Sequence, residues 1–259
     1  MDAEALFKLA EKENVTILEV VPSLLRTVLD VWGPDRPVLD GLRNLVVTGE
    51  ALPAPLCQRW LELYPHVPLV NAYGPTECSD DVAHAVIDAS TDLGIRVPIG
   101  RAVRNTRLYV VDDMLEPVPL GVTGELCVGG IGVGYGYIAD PVKTARAFVP
   151  DPFATVPGER LYRTGDRARF RPDGTLEFLG REDHQVKIRG QRIELGEVEL
   201  ALHQIPGVSD AVVTVTSEAG GQNRLIGYVV GDVDVDAVRR DLSSLLPRPC
   251  LLYTSDAAD

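Results

Sequence analysis

Val67-Pro-Leu-Val-Asn-Ala-Tyr-Gly-Pro-Thr-Glu77 runs from an apolar stretch directly into a Gly-Pro turn. Residues 67–71 read as a β-strand, and the Gly74-Pro75 pair stops it. Thr76 and Glu77 are thereby left at the strand's carboxyl end, where open α/β sheets bind their ligands. Upstream the same grammar repeats. Residues 15–20 read as a strand, Pro22 opens a helix over 23–31, residues 45–48 read as a second strand, and 54–63 as a second helix. Strands joined through helices predict a mostly parallel sheet over residues 1–85.

Downstream the grammar changes. From about residue 97 to 180 short strands alternate with Gly, Pro and Asp turns, which predicts an antiparallel β subdomain within 86–182. Arg171-Pro-Asp-Gly174 is a hairpin turn between strands at 168–170 and 176–178. That hairpin puts Asp166 and Arg181 at one open end, offset by about two residues or roughly 7 Å. After residue 183 come a strand (185–188), a helix (197–203), two strands (211–216 and 225–230) and a helix (235–246). This β-α-β-β-α order reads as a small separate α+β lid. The fold class is α/β with that second, smaller domain.

Composition bounds the function. At 259 residues, 45% hydrophobic and 24% charged, the chain is an ordinary globular sequence, enough for one large domain or two unequal ones. A net charge of −13 argues against nucleic acid or an anionic membrane as partner. Cys57, Cys78, Cys127 and Cys250 contain no C-x-x-C pair and read as free thiols. The N-terminus is amphipathic and of mixed charge, and no 18-residue apolar run occurs, so the expected location is the cytoplasm.

Two local patterns bear on chemistry. A threonine hydroxyl at a strand end can donate to a phosphate oxygen, and a carboxylate beside it can hold Mg²⁺ bridging phosphates. Thr76 and Glu77 also suit a helix cap. Gly129-Gly-Ile-Gly-Val-Gly-Tyr-Gly136 imitates a dinucleotide loop, but its third required glycine falls on Tyr135 or Tyr137. No phosphate-loop lysine motif, H-E-x-x-H or G-x-S-x-G occurs.

Five segments in order carry a family resemblance: Asn71-Ala-Tyr-Gly-Pro-Thr-Glu77, Val97-Pro-Ile-Gly100, Gly124-Glu-Leu-Cys-Val-Gly-Gly130, Tyr162-Arg-Thr-Gly-Asp166, and the run from Gly180 through Gln185-Val-Lys-Ile-Arg-Gly-Gln-Arg-Ile-Glu-Leu-Gly-Glu197. From about residue 15 to 247 the chain closely resembles the C-terminal part of adenylation domains of nonribosomal peptide synthetases, members of the acyl-adenylate-forming superfamily. The resemblance implies that residues 1–182 are a portion of the large core domain and 183–249 a truncated lid.

It further implies ATP- and Mg²⁺-dependent activation of an amino acid as aminoacyl-AMP. The acyl group then passes to the phosphopantetheine thiol of a downstream carrier protein, with condensation domains as further partners. Thr76, Glu77 and Lys187 are the implied catalytic set, with Glu77 as metal ligand. Tyr73, Gly74, Thr76, Asp166, Phe178 and Arg181 would bind the nucleotide, Asp166 taking both ribose hydroxyls. Asp183 would be the hinge, and Gly190 would face the thioester-forming site. The matching pocket positions are Glu19, Val46, Thr48, Ala72, Asp80 and Asp81. Three carboxylates by an apolar wall are costly to desolvate without a cation, which favours a basic amino acid.

Departures from the family are equally legible. Its Ser/Thr/Gly-rich phosphate loop and a substrate-binding aspartate belong upstream of residue 1, and its Asn-Gly-Lys loop belongs after the last helix. Residues 250–259 match nothing expected there and read as a foreign tail. Gly134-Tyr135 stands where the family usually has Ala-Arg. The expectation for this chain alone is an incomplete, catalytically weak fragment. The competing readings are an acyl- or aryl-CoA ligase of the same superfamily and a folded, non-catalytic remnant.

Overall fold

A computed structural model describes residues 2–33, 36–181, 185–188, 190–217 and 223–246. The chain divides into two compact units, Met1–Glu182 and Asp183–Asp259.

The first unit opens with helix α1 (Ala3–Lys12), capped by the Asp2 carboxylate. Strand β1 (Ile17–Val20), helix α2 (Pro22–Val31), β2 (Asn44–Val47), α3 (Ala54–Leu63) and β3 (Leu69–Tyr73) follow. Pro22 stands in the first turn of α2, where its missing N–H costs nothing. The strands pair in parallel in the order β1-β2-β3. Then β4 (Ala83–Ile87) and β5 (Arg101–Ala102) add on antiparallel. The division expected at residue 85 thus falls inside β4, and the first sheet runs on to Ala102, because β4 folds straight back along β3.

The three helices pack on one face of this sheet. Their core joins Phe7, Leu25, Val28 and Trp60 to Val20, Leu45, Leu69 and Ile87. Trp60 is fully buried and donates its indole N–H to the Val67 carbonyl at 2.9 Å. The alternate residues of the strands point to the opposite face. Glu19 sits beside Val46, Val46 beside Val70, and Ala72 beside His84 on that face.

A second sheet follows, built from β6 (Thr106–Val111), β7 (Gly124–Gly130), β8 (Phe148–Pro150), β9 (Arg160–Phe170) and β10 (Leu176–Arg181), with helix α4 (Pro141–Ala147) before β8. Its order is β10-β9-β7-β6, all antiparallel, and β8 also pairs with β9. Tyr73, Val82, Ala83 and Ile99 share a core with Leu126, Tyr162, Ala168 and Leu176 of this sheet. The carboxyl end of β3 is therefore fastened to the β9–β10 hairpin. Cys57, Cys78 and Cys127 are free and buried, and burial pushes each thiol up to about 12, so they are packing groups. Cys250 lies outside the described residues.

In the second unit, β11 (Gln185–Ile188) and β12 (Gln191–Glu194) form a hairpin, followed by helix α5 (Leu195–His203), the long hairpin β13 (Val208–Ser217) and β14 (Asn223–Gly231), and helix α6 (Val235–Leu245). The observed order is β-β-α-β-β-α. Periodicity missed β12 because Gln-Arg-Ile-Glu has only one apolar residue, Ile193, which is 2% exposed. Ile193, Val198, Leu202, Leu225 and Leu242 form this unit's own core. Asp234 caps α6 by accepting from the N–H groups of Asp236 and Ala237. Asp234→Ala should cost about 1 kcal/mol, read as an earlier midpoint of the second unit in urea. No helix among the described residues is long and apolar enough to cross a membrane.

Candidate active site

The end of β3 is where the predicted nucleotide residues gather. After Tyr73, Gly74 and Pro75 lead into a single 3-10 turn, Thr76–Cys78, then Ser79 and Asp80 with positive φ of 63° and 77°. Both are left-handed conformations that a non-glycine residue adopts at a cost. The backbone thereby doubles back over Gly74. A Cβ there would lie 1.7 Å from the Asp80 carbonyl oxygen. Pro75 is the N-cap of the turn and no side chain caps it, so the capping role open to Thr76 and Glu77 is not used. Thr76 is exposed and Glu77 half-buried.

Asp166 lies on β9, mostly buried, between two donors. The Tyr73 hydroxyl donates to its Oδ2, and Arg181 Nη1 donates to its Oδ1 at 2.8 Å. Arg181 also donates to the Thr164 carbonyl at 2.9 Å, and the Thr164 hydroxyl accepts from the Asp166 N–H. Burial and the adjacent Asp166 charge raise the Tyr73 phenol, so it stays a donor. Tyr73 and Phe178 have ring centroids 6.0 Å apart. The two-residue offset expected between Asp166 and Arg181 is corrected here. A bulge between Phe178 and Gly180 shifts the register, and Arg181 stands directly opposite Asp166. With side chains 17% and 11% exposed, the pair is not a solvated surface contact.

Glu77 is held from the other side by the glycine-rich run. Tyr137 donates its hydroxyl to Glu77 Oε1 at 2.7 Å, and the Gly134 N–H donates to the Glu77 carbonyl oxygen at 2.8 Å. Ser79 donates to the Gly132 carbonyl at 3.0 Å. The run rejected as a dinucleotide loop is therefore a backing for the Thr76–Cys78 turn. Tyr137, Tyr162 and Thr164 escaped the sequence reading. Their only signal was position, at the end of the glycine run and inside Tyr162-Arg-Thr-Gly-Asp166.

The pocket residues divide. Glu19, Val46 and Ala72 share the sheet face away from the helices, as the register requires. Thr48 donates to Asp81 Oδ1 at 3.3 Å, and His84 Nε2 lies 3.0 Å from Asp81 Oδ2. Glu19 is exposed, and partial desolvation first, then the charges of Asp80 and Asp81, raise its carboxyl, with His84 opposing. Asp80, Asp81 and His84 thus all act on the Glu19 carboxyl, and His84 is not among the residues that sequence spacing singled out. In the second unit Lys187 is exposed on β11, and Gly190 has φ of 75° in the β11–β12 turn, a conformation that favours glycine. Asp183 and residues 250–259 lie outside the described residues.

A family model described as AMP-binding enzyme matches residues 1–138, more than half of the chain. The chain belongs to the AMP-binding enzyme family. Among curated relatives, this AMP-binding protein is 44% identical to tyrocidine synthase 3 of Brevibacillus parabrevis over 99% of its own length. It is 42% identical to the dimodular nonribosomal peptide synthase of Bacillus subtilis (strain 168) over 95%. The first of these matches runs past residue 250, into the segment that the sequence reading set apart as foreign. Holo-PA1221, a nonribosomal peptide synthetase protein with adenylation and carrier-protein domains bound to a vinylsulfonamide inhibitor, is similar over 93% of the chain, with TM-score 0.83 and 32% identity. The Vibrio cholerae adenylation domain AlmE, in complex with glycyl-adenosine-5′-phosphate, is similar over 96%, with TM-score 0.83 and 28% identity. The chain spans 4% and 10% of the two synthetases and 42% and 47% of the two solved chains. The α/β class with mixed parallel and antiparallel sheets, and the resemblance to peptide-synthetase adenylation domains, are those read from the sequence.

Proposed function

We propose that this AMP-binding protein takes part in amino-acid adenylation and in delivery of the acyl group to a phosphopantetheinyl carrier protein. The observation that carries this reading is Asp166, a carboxylate on β9 fixed between Arg181 and Tyr73, the last residue of the strand that leads into Thr76 and Glu77. Its two oxygens offer about four lone-pair sites, enough to accept a ribose cis-diol beside the donors it already has. Tyr73 and Phe178 would flank the nucleotide, and Gly74 keeps the turn close to it. Exposed Thr76 would donate to the phosphates. One carboxylate plus nucleotide phosphates is an ordinary ligand set for Mg²⁺, and half-buried Glu77 fits it. When bound, the metal would neutralise phosphate charge.

The second unit would act as a lid hinged at Asp183, with Lys187 and Gly190 facing the carrier arm. Adjoining condensation domains, cytoplasmic location and a CoA-independent acceptor complete the reading. The relatives named above are peptide synthetases and adenylation domains, which favours a carrier protein over CoA. The test is amino-acid-dependent ATP–pyrophosphate exchange in a chain extended to the length of its solved relatives, followed by loading of a carrier protein. Exchange with no amino acid dependence, or loading of CoA instead, would sink it.

The substrate side chain is proposed to be basic, because Glu19, on the sheet face away from the helices, feels the charges of Asp80 and Asp81. In the extended chain Glu19→Gln should lower the preference for a basic over a neutral amino acid by about tenfold in kcat/KM. An unchanged preference in a substrate panel rejects the assignment. The same variant has a pH signature. The Glu19 carboxyl is raised above 4.5, so the folded state binds more protons and stability falls as pH rises through the window above 4.5. Glu19→Gln should flatten that part of the urea-stability profile.

A further inference from the structure

Between β7 and α4 the chain Gly132-Val-Gly-Tyr-Gly-Tyr137 does more than turn a corner. It grips Glu77 twice, once at the main chain and once at the side chain. The Gly134 N–H reaches the Glu77 carbonyl oxygen at 2.8 Å, and the Tyr137 hydroxyl reaches Glu77 Oε1 at 2.7 Å. Glycine eases the close approach, since a Cβ at position 134 would lie 3.0 Å from that carbonyl oxygen, a tight contact.

Tyr137 is itself fixed on every side. Its ring meets Phe148 edge-on at 5.5 Å, the Lys143 ammonium lies 4.8 Å above it, and its N–H donates to the Thr144 hydroxyl at 2.9 Å. The Tyr162 hydroxyl lies 3.4 Å from the Tyr137 hydroxyl. Burial, and then hydrogen bonding to Tyr137, raise the Tyr162 phenol well above its usual range, so it also keeps its proton. Thr76 is exposed and Cys78 buried, so the half-buried Glu77 carboxylate sits at the edge of the core, where an anchored phenol selects its rotamer.

We infer that Tyr137 is the positioning residue for the Glu77 carboxylate, orienting it toward the cation that accompanies the nucleotide phosphates. This rests on the reading of Glu77 as the metal ligand. Tyr137 would not touch the metal. It would remove the rotamer freedom that Glu77 must otherwise lose on binding. Partners that orient a metal ligand in this way typically contribute 10- to 100-fold in metal affinity.

The test measures ATP affinity by calorimetry in excess Mg²⁺ and again in EDTA, so that the ratio of the two reports the metal alone. Tyr137→Phe keeps the ring packing and should lower the Mg²⁺-dependent gain about tenfold, with affinity in EDTA changed less than twofold. Gly134→Ala should move the ratio the same way by a smaller factor, and serves if Tyr137→Phe does not fold. Tyr135→Phe, in the same run but 92% exposed, should leave it unchanged. Glu77→Gln separates the two claims. If it abolishes the gain while Tyr137→Phe and Gly134→Ala do not alter it, the positioning role is overturned and the ligand reading stands. If Glu77→Gln leaves the gain intact, or the unsubstituted chain shows none, both are overturned.

Discussion

Gly74→Ala is expected to destabilise the first unit by about 4 kcal/mol and to abolish measurable ATP binding. The methyl carbon would lie 1.7 Å from the Asp80 carbonyl oxygen and 2.6 Å from Asp81 Cα, both main chain and neither able to swing aside. Relief requires the 79–81 loop to lift, which breaks the 2.8 Å hydrogen bond from the Val82 N–H to the Tyr73 carbonyl and unseats β4 from β3. The same movement carries away Thr76 and Glu77 on one side and Asp80 and Asp81 on the other, so stability and binding should fall together. Urea unfolding followed by the buried tryptophan Trp60 reads the first effect. Gly33→Ala is the comparison, since a Cβ there meets nothing within 4 Å and should change stability by less than about 0.5 kcal/mol. Equal effects of the two substitutions would show that the loop yields freely and that Gly74 is not what holds the turn closed.

Asp166→Ala is the second large effect. It deletes the carboxylate that faces Arg181 and accepts from Tyr73 in a mostly buried setting, and removing one partner of a buried ion pair costs about 3 kcal/mol. Asp166→Asn keeps the shape and removes the charge. On the proposal that Asp166 takes both ribose hydroxyls, this weakens two charge-assisted hydrogen bonds, and ATP affinity should fall about 100-fold. A nucleotide lacking both ribose hydroxyls should bind the unsubstituted chain as weakly as ATP binds Asp166→Asn, and combining the two changes should add little. Additive losses would mean that Asp166 and the diol never meet, and would leave Asp166 as a purely structural partner of Arg181.

What could be read directly from residue order was local. Apolar runs stopped by Gly-Pro placed β3, and helix α3 came out at its observed bounds, because a stripe of one side chain per turn is a property of neighbours along the chain. The hairpin turn at 171–174 was equally legible, since Asp-Gly chemistry is contained within four residues. The same locality explains the misses. Strand β12 has one apolar residue in four, and its identity as a strand comes only from pairing with β11. The boundary at residue 85 failed because β4 belongs to the first sheet by hydrogen bonding with β3, which periodicity does not report.

The site shows the same split more sharply. Sequence alone determined the family, the fold class and the residue types available at the strand end. The tertiary structure decided how they meet. A one-residue bulge near Phe178 set Arg181 opposite Asp166. Contacts spanning 93 residues, from Tyr73 to Asp166, and 60 residues, from Tyr137 to Glu77, made a single centre of three chain segments. Side-chain identity and turn propensity act over a few residues. Register and long-range hydrogen bonds are settled only when the sheets pack, because burial leaves those polar groups no solvent to bond with instead.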